Sequence, residues 1–146
     1  MQLNHFTDFG MRVMMYLTQC QERSKRVTIP EIAERFKISR NHLMKVVHFL
    51  SQSGWIVATR GKGGGLELAQ APETYRLGQM ICALERQGPL TDCSDPSCEL
   101  HGLCLMANIL EDELRIFYKS LDRHTLADLV REPTRAAIIR LHRAAA

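Results

Sequence analysis

Thr28-Ile-Pro-Glu-Ile-Ala-Glu-Arg-Phe36, then Lys37-Ile38, then Ser39-Arg-Asn-His-Leu-Met-Lys-Val-Val-His-Phe-Leu-Ser-Gln52: this stretch decides the fold. Thr28 and Glu31 match a capping box, and Pro30 is tolerated in a first helical turn. The helix that follows is short, with Ile32, Ala33 and Phe36 on its apolar side. Lys37-Ile38 makes a tight connection, and Ser39 is an N-cap for a second helix. In that helix Leu43, Val46, Val47 and Leu50 point inward. Arg40, Asn41, Lys45, His48 and Gln52 are left on the outer side. Two short helices joined by a brief turn, the second with a basic, amide-bearing face, predict a helix-turn-helix. A major groove admits one helix, and Arg, Lys, Asn and Gln can read base edges or hold phosphates. The bland alternative is a helical hairpin with solvated charges.

The next residues strengthen the nucleic-acid reading. Ser53-Gly54 ends the helix. Trp55-Ile-Val-Ala-Thr59 is β-branched and apolar, Arg60-Gly-Lys-Gly-Gly-Gly65 is a basic turn, and Leu66-Glu-Leu-Ala69 returns as a second strand. A hairpin directly after a helix-turn-helix is a wing. Arg60 and Lys62 at its tip can reach phosphates or a minor groove, and the glycines permit close backbone approach. The run lacks the order of a nucleotide-binding phosphate loop, and no helix opens directly after it. The expected DNA-contacting set is Thr28, Ser39, Arg40, Asn41, His42, Lys45, Arg60, Lys62, Gly63 and Gly64.

Upstream, residues 3–20 read as a helix whose apolar stripe is Phe6, Phe9, Val13, Tyr16, Leu17 and Cys20. Asp8, Arg12 and Met15 lie off it. Asp8 and Arg12, four apart, read as a surface ion pair. Charge follows the same division. Residues 1–65 carry 10 Lys or Arg against 4 Asp or Glu, whereas residues 66–146 carry 9 against 12, in a chain of net charge +3. The basic first half suits a polyanionic partner. With 45% hydrophobic and 24% charged residues among 146, composition is that of an ordinary globular protein. No apolar run approaches the roughly 18 residues a membrane span needs, and the N-terminus lacks a signal-peptide pattern. A cytoplasmic protein is expected.

Downstream, residues 71–75 read as a linker. Leu77, Met80, Ile81 and Leu84 mark a helix over 76–86, with Cys82 beside its stripe and expected to be core or half-buried. Gly88-Pro89 closes it. Residues 104–121 form the longest periodic segment: Met106, Leu110, Leu114, Phe117 and Leu121 make one stripe, widened by Leu105, Ile109 and Ile116. So broad a stripe predicts a partner helix from a second copy, as palindromic DNA sites also favour. Thr125-Leu-Ala-Asp-Leu-Val130 reads as a capped helical turn, and 131–146 as a basic, frayed helical end. The expected architecture is mainly α with a small β-hairpin: a winged helix-turn-helix over 1–70, a linker helix and cysteine loop over 71–104, and a dimerisation helix and C-terminal tail over 105–146.

Three of the five cysteines stand in Cys93-Ser-Asp-Pro-Ser-Cys98-Glu-Leu-His-Gly-Leu-Cys104, spaced C-x4-C-x5-C. Asp95, Pro96 and Gly102 mark this stretch as a loop, which can wrap thiolates around one centre. Structural zinc usually shows tighter C-x2–4-C knuckles and a clear fourth ligand. The wider gaps favour an iron–sulfur cluster over zinc. A labile disulfide and unpaired thiols are the remaining alternatives.

Taken together, Phe6-Thr-Asp-Phe-Gly-Met-Arg12, Ser39-Arg-Asn-His-Leu43, Arg60-Gly-Lys-Gly-Gly-Gly65, the cysteine loop and His124-Thr-Leu-Ala-Asp-Leu-Val130 resemble the NsrR/IscR-type family of bacterial winged-helix regulators over residues 1–130. The loop spacing is most similar to the nitric-oxide-sensing NsrR type. The IscR type has a longer first gap and a histidine three residues after the last cysteine, where this chain has Ala107. The resemblance implies a homodimeric repressor on a palindromic operator in double-stranded promoter DNA, with one cluster per chain, 4Fe-4S rather than 2Fe-2S. It implies Cys93, Cys98 and Cys104 as ligands, with Asp8 reaching the cluster of the opposite subunit. His101 and His5 are rival fourth ligands. Nitric oxide is the implied signal, and cluster nitrosylation would release DNA. Other regulators on this scaffold would sense redox state, iron or cluster supply. A thiol enzyme or electron carrier is the reading from a different class, and no nucleophile–base set supports an enzyme.

Overall fold

The computed structural model describes residues 2–20, 25–85, 90–91, 93 and 97–144. The expected turns at Gly88-Pro89 and at Asp95 and Pro96, and part of the loop over 21–27, lie outside the described residues. Helix α1 spans His5–Leu17 rather than the whole of 3–20. Asn4 sets its start by accepting from the Thr7 amide at 2.8 Å. Asn4 is itself held by Glu85, whose carboxylate accepts from the Asn4 amide and Nδ2 at 3.0 Å each. The buried side of α1 is broader than its aromatic spacing implies. Thr7, Gly10, Met11 and Met14 join Val13, Tyr16 and Leu17, while Phe6, Phe9 and Cys20 are half-buried.

Helices α2 (Ile29–Phe36) and α3 (Arg40–Gln52) match the expected pair. Thr28 and Ser39 cap them by accepting from the Glu31 and His42 amides. Lys37 makes the turn in the left-handed region, at φ 54°, without glycine. The buried Ile38 beside it anchors the connection to the core. Glu31 has a tertiary duty as well: it accepts from the Tyr16 hydroxyl at 2.7 Å, tying α2 to α1.

Strands β1 (Ile56–Thr59) and β2 (Gly65–Leu68) pair antiparallel, with Ile56 opposite Leu68 and Thr59 opposite Gly65. Val27 bridges Leu66, so the hairpin is stitched to the segment entering α2. Residues 71–75 are more than a linker. Pro72–Thr74 is a 3-10 turn, and Tyr75 is buried. Its hydroxyl donates to the Trp55 carbonyl and accepts from the Gln70 amide, both at 2.8 Å. Burial pushes this phenol above its ordinary pKa.

Helix α4 (Leu77–Glu85) crosses α1 and then α5 (Leu105–Leu121). Gly10 meets Leu84 at the first crossing. Gly78 meets the backbone at the second, where an added Cβ would stand 1.9 Å from the Tyr118 carbonyl oxygen. Cys82 is exposed, a correction to its expected burial: α4 buries Leu77, Gly78, Met80, Leu84 and Glu85, and Cys82 falls outside that face. Helix α6 (Leu126–Leu129) begins with the capping box Thr125/Asp128 and returns to Tyr75, whose carbonyl accepts from the Leu126 amide.

The C-terminal stretch is a second correction. It forms α7 (Thr134–Arg143), and it is docked rather than frayed. Ile138 and His142 are buried. The His142 ring stacks on Tyr16, with centroids 3.9 Å apart, and a ring nitrogen lies 2.9 Å from the Tyr16 carbonyl oxygen. The core is thus centred on α1, with α2, α3, the hairpin, α4, α6 and α7 around it.

Candidate nucleic-acid interface and thiol loop

On α3, Leu43, Val46, Val47 and Leu50 are buried, which turns Arg40, Asn41, His42, Lys45 and His48 outward, all exposed. Both caps, Thr28 and Ser39, are exposed as well. His42 is partly engaged: its ring stacks on Phe9 at 6.3 Å, and Phe9 stacks on His5 at 5.8 Å. Arg60, Lys62 and Gly63 are exposed at the wing tip. Gly63 sits at φ 83°, and a Cβ on Gly64 would come within 2.2 Å of the Thr59 carbonyl oxygen, so the turn needs glycine at both positions.

Sequence reasoning missed Arg26, left in a polar loop. Its guanidinium donates to Thr59 Oγ1 at 2.8 Å and pairs with Glu67 at 3.3 Å, bracing both wing strands. One arginine at the end of the basic run Arg23-Ser-Lys-Arg26 carries no local signal of that role. The buried Glu85, which fixes the start of α1, was missed for the same reason.

The described part of the cysteine loop turns back on itself. The Cys98 amide donates to the Cys93 carbonyl at 3.2 Å, and the His101 amide to the Cys98 carbonyl at 3.0 Å. Gly102 follows at φ 81°. Cys104 is the residue before α5, and its carbonyl accepts from the Asn108 amide. Cys93, Cys98 and Cys104 are free and partly buried, and His101 is exposed. Asp8 lies on α1 in an ion pair with Arg12 at 2.8 Å, both side chains about 40% exposed. Among the described residues, no three His, Cys, Asp or Glu side chains gather closely enough within one protomer to hold a metal ion. The donor chemistry still fits a soft metal centre: three free thiols stand within one short stretch of chain, and the Cys98 amide is bonded to the Cys93 carbonyl.

Helix α5, directly after the thiols, buries no residue. Leu105, Met106, Ile109, Leu110, Ile116 and Phe117 are exposed, as are Leu100 and Leu103 before it. Of the expected stripe, Leu121 packs on the protomer's own core and Leu114 is half-buried.

A helix-turn-helix whose second helix shows a basic face, followed by a glycine-tipped hairpin, defines a winged-helix DNA-binding protein. The chain matches the Rrf2 family, "Iron-dependent Transcriptional regulator", over residues 3–132, and it belongs to that family of transcriptional regulators. Its fold is similar to IscR of T. potens (24% identity, 93% of this chain and 90% of that one, TM-score 0.70). A transcriptional regulator of Listeria innocua is similar to the same degree (24%, 92% and 89%, TM-score 0.70). CymR, the global cysteine regulator of B. subtilis, aligns at 22% identity over 88% and 95% of the two chains, TM-score 0.64. At these identities the likeness is one of fold.

Proposed function

We propose that the protein is a cytoplasmic, homodimeric repressor that binds a palindromic operator and responds to nitric oxide through an iron–sulfur cluster. The observation that carries this reading is the three free thiols at C-x4-C-x5-C spacing, placed just before a helix whose apolar face the protomer leaves uncovered. In this reading two α5 helices pair. Cys93, Cys98 and Cys104 hold the cluster, 4Fe-4S rather than 2Fe-2S, one per chain, and Asp8 of the partner subunit completes the set. When bound, the cluster supplies irons that nitric oxide can attack.

The chain's own residues then connect loop to DNA. A half-exposed i,i+4 ion pair is worth only about 0.3–0.5 kcal/mol, so Asp8 exchanges Arg12 for another cation at small cost. Asp8 lies on α1, whose neighbour Phe9 stacks on His42 of α3. Holding or releasing Asp8 therefore bears on the helix that carries Arg40, Asn41 and Lys45. With Arg60, Lys62, Gly63 and Gly64 at the wing and the caps Thr28 and Ser39, these residues form the proposed DNA contact. A differential affinity of a few kcal/mol, about 1.4 for each tenfold, is enough to switch occupancy.

Anaerobic purification tests the proposal. A brown protein with iron and sulfide, binding a palindromic duplex and losing colour and duplex together on nitric oxide addition, is the expected outcome. Colourless, iron-free protein from oxygen-free cells would remove the cluster. Asp8→Ala should leave the fold intact and make the cluster labile, whereas Arg12→Ala should not; equal cluster stability in wild type and Asp8→Ala would return the fourth position to His101 or His5.

A second reading is a thiol- or redox-sensing regulator without a cluster. It is favoured by the thiols being free yet ungathered within one protomer and by Asp8 already having a partner. It predicts iron-free protein whose DNA binding responds to peroxide or disulfide reagents.

A further inference from the structure

Across α1, α2 and α3, among the described residues, one large apolar side chain is left exposed: Met44, at 51%. Its surroundings are polar. Arg40 and Asn41 stand one turn before it, Lys45 beside it and His48 one turn after, all exposed. Residues 41, 44, 45 and 48 follow the three- and four-residue steps of one helical face. Opposite them, Leu43, Val46, Val47 and Leu50 fill the core, and Met44 is not among the hydrophobic residues packed against it.

An apolar centre ringed by cations and an amide is poorly matched to a protein partner, whose contact cores are depleted of charge. It is well matched to a major groove. Phosphates lie at the margins, hydrogen-bonding base edges lie between them, and the one apolar feature of the base edges is the thymine C5-methyl. Met44 is the fifth residue of α3, in the N-terminal part of a recognition helix that reaches base edges. Its unbranched thioether can adapt to a small methyl target.

We propose that Met44 is a specificity-determining residue that reads a thymine C5-methyl in each half-site, between the contacts of Asn41 and Lys45. This rests on α3 being the DNA-contacting helix.

The test uses the full-length protein in its DNA-binding form and a duplex enriched by it from a random pool. Each thymine is replaced singly by deoxyuridine, which keeps base pairing and removes only the methyl. At one position per half-site, deoxyuridine should weaken wild-type binding roughly fourfold, as expected when one buried methyl is removed. Met44→Ala should bind the thymine and uracil duplexes equally, and Met44→Leu should keep the discrimination. Because Met44 is exposed, both variants should melt with wild-type cooperativity. Wild type indifferent to every replacement, or Met44→Ala discriminating as well as wild type, would overturn the proposal and leave the α3 assignment standing. A pool from which no duplex is enriched would overturn both.

Discussion

Helices α3 and α5 both turn a long face to solvent, and they do so for opposite reasons. Helix α3 buries four residues, so its outward face is what remains after the protomer has used its apolar side. That face carries Arg40, Asn41, Lys45 and His48, which water solvates well. Helix α5 buries none, and its outward face holds Leu105, Met106, Ile109, Leu110, Ile116 and Phe117. The first surface is complete in one chain and can wait for a polyanion. The second leaves apolar area in water, at roughly 25 cal/mol per Å2, and calls for a complement.

The sharpest way to break this comparison is Ile116→Glu. If two α5 helices pair, it removes a buried side chain on both copies. Self-association should weaken by about 3–6 kcal/mol per dimer, read by sedimentation equilibrium, with helical content kept. An unchanged dimer would mean that α5 is not the seam. Gly78→Ala comes next. It forces α4 away from the Tyr118 carbonyl and should lower unfolding stability by about 1–3 kcal/mol in urea titration. Wild-type stability would show that this crossing yields.

Charge deletion on the other face acts differently. Lys45→Ala or Arg60→Ala should leave stability alone and flatten the salt dependence of DNA binding, by about one unit of slope for each phosphate no longer neutralised. An unaltered slope would take that residue off the interface.

The smallest effect lies away from both helices. The Thr125 amide holds the Asp128 carboxyl below its ordinary pKa. A carboxylate depressed in the folded state stabilises above its unfolded pKa of about 3.9 and loses that contribution as pH falls through the folded value. The stability gap between wild type and Asp128→Asn should therefore be full near pH 6 and close below about pH 4. A gap independent of pH would contradict the capping box.

Much of the winged-helix half was legible because its signals are local. Thr28 and Ser39 cap their helices, Leu43 to Leu50 bury at the expected steps, and the Arg60 to Gly65 turn joins the strands it separates. Long-range partners were not legible. Tyr75 looks like a linker residue until the Trp55 carbonyl stands above it, and Arg26 looks like solvent-facing charge until Thr59 and Glu67 approach. Helix α7 carries three arginines and reads as a loose end, yet two of its residues, Ile138 and His142, dock against the core. The cysteine spacing is visible in the chain, but spacing along a loop does not bring sulfurs together in space, and within one protomer they are not gathered.

The order of residues alone settled the α2–α3 pair with its caps, the hairpin that follows it, the inward face of α3, and that the chain is a winged helix with three cysteines in one short stretch, because capping and periodicity act within a few residues. Tertiary structure alone decided which apolar faces find partners inside the protomer. It covered the apolar sides of α3 and α7 and left most of the apolar face of α5 exposed. Those outcomes depend on the packing of segments far apart in the chain, and no local pattern encodes how much apolar area the rest of the molecule can cover.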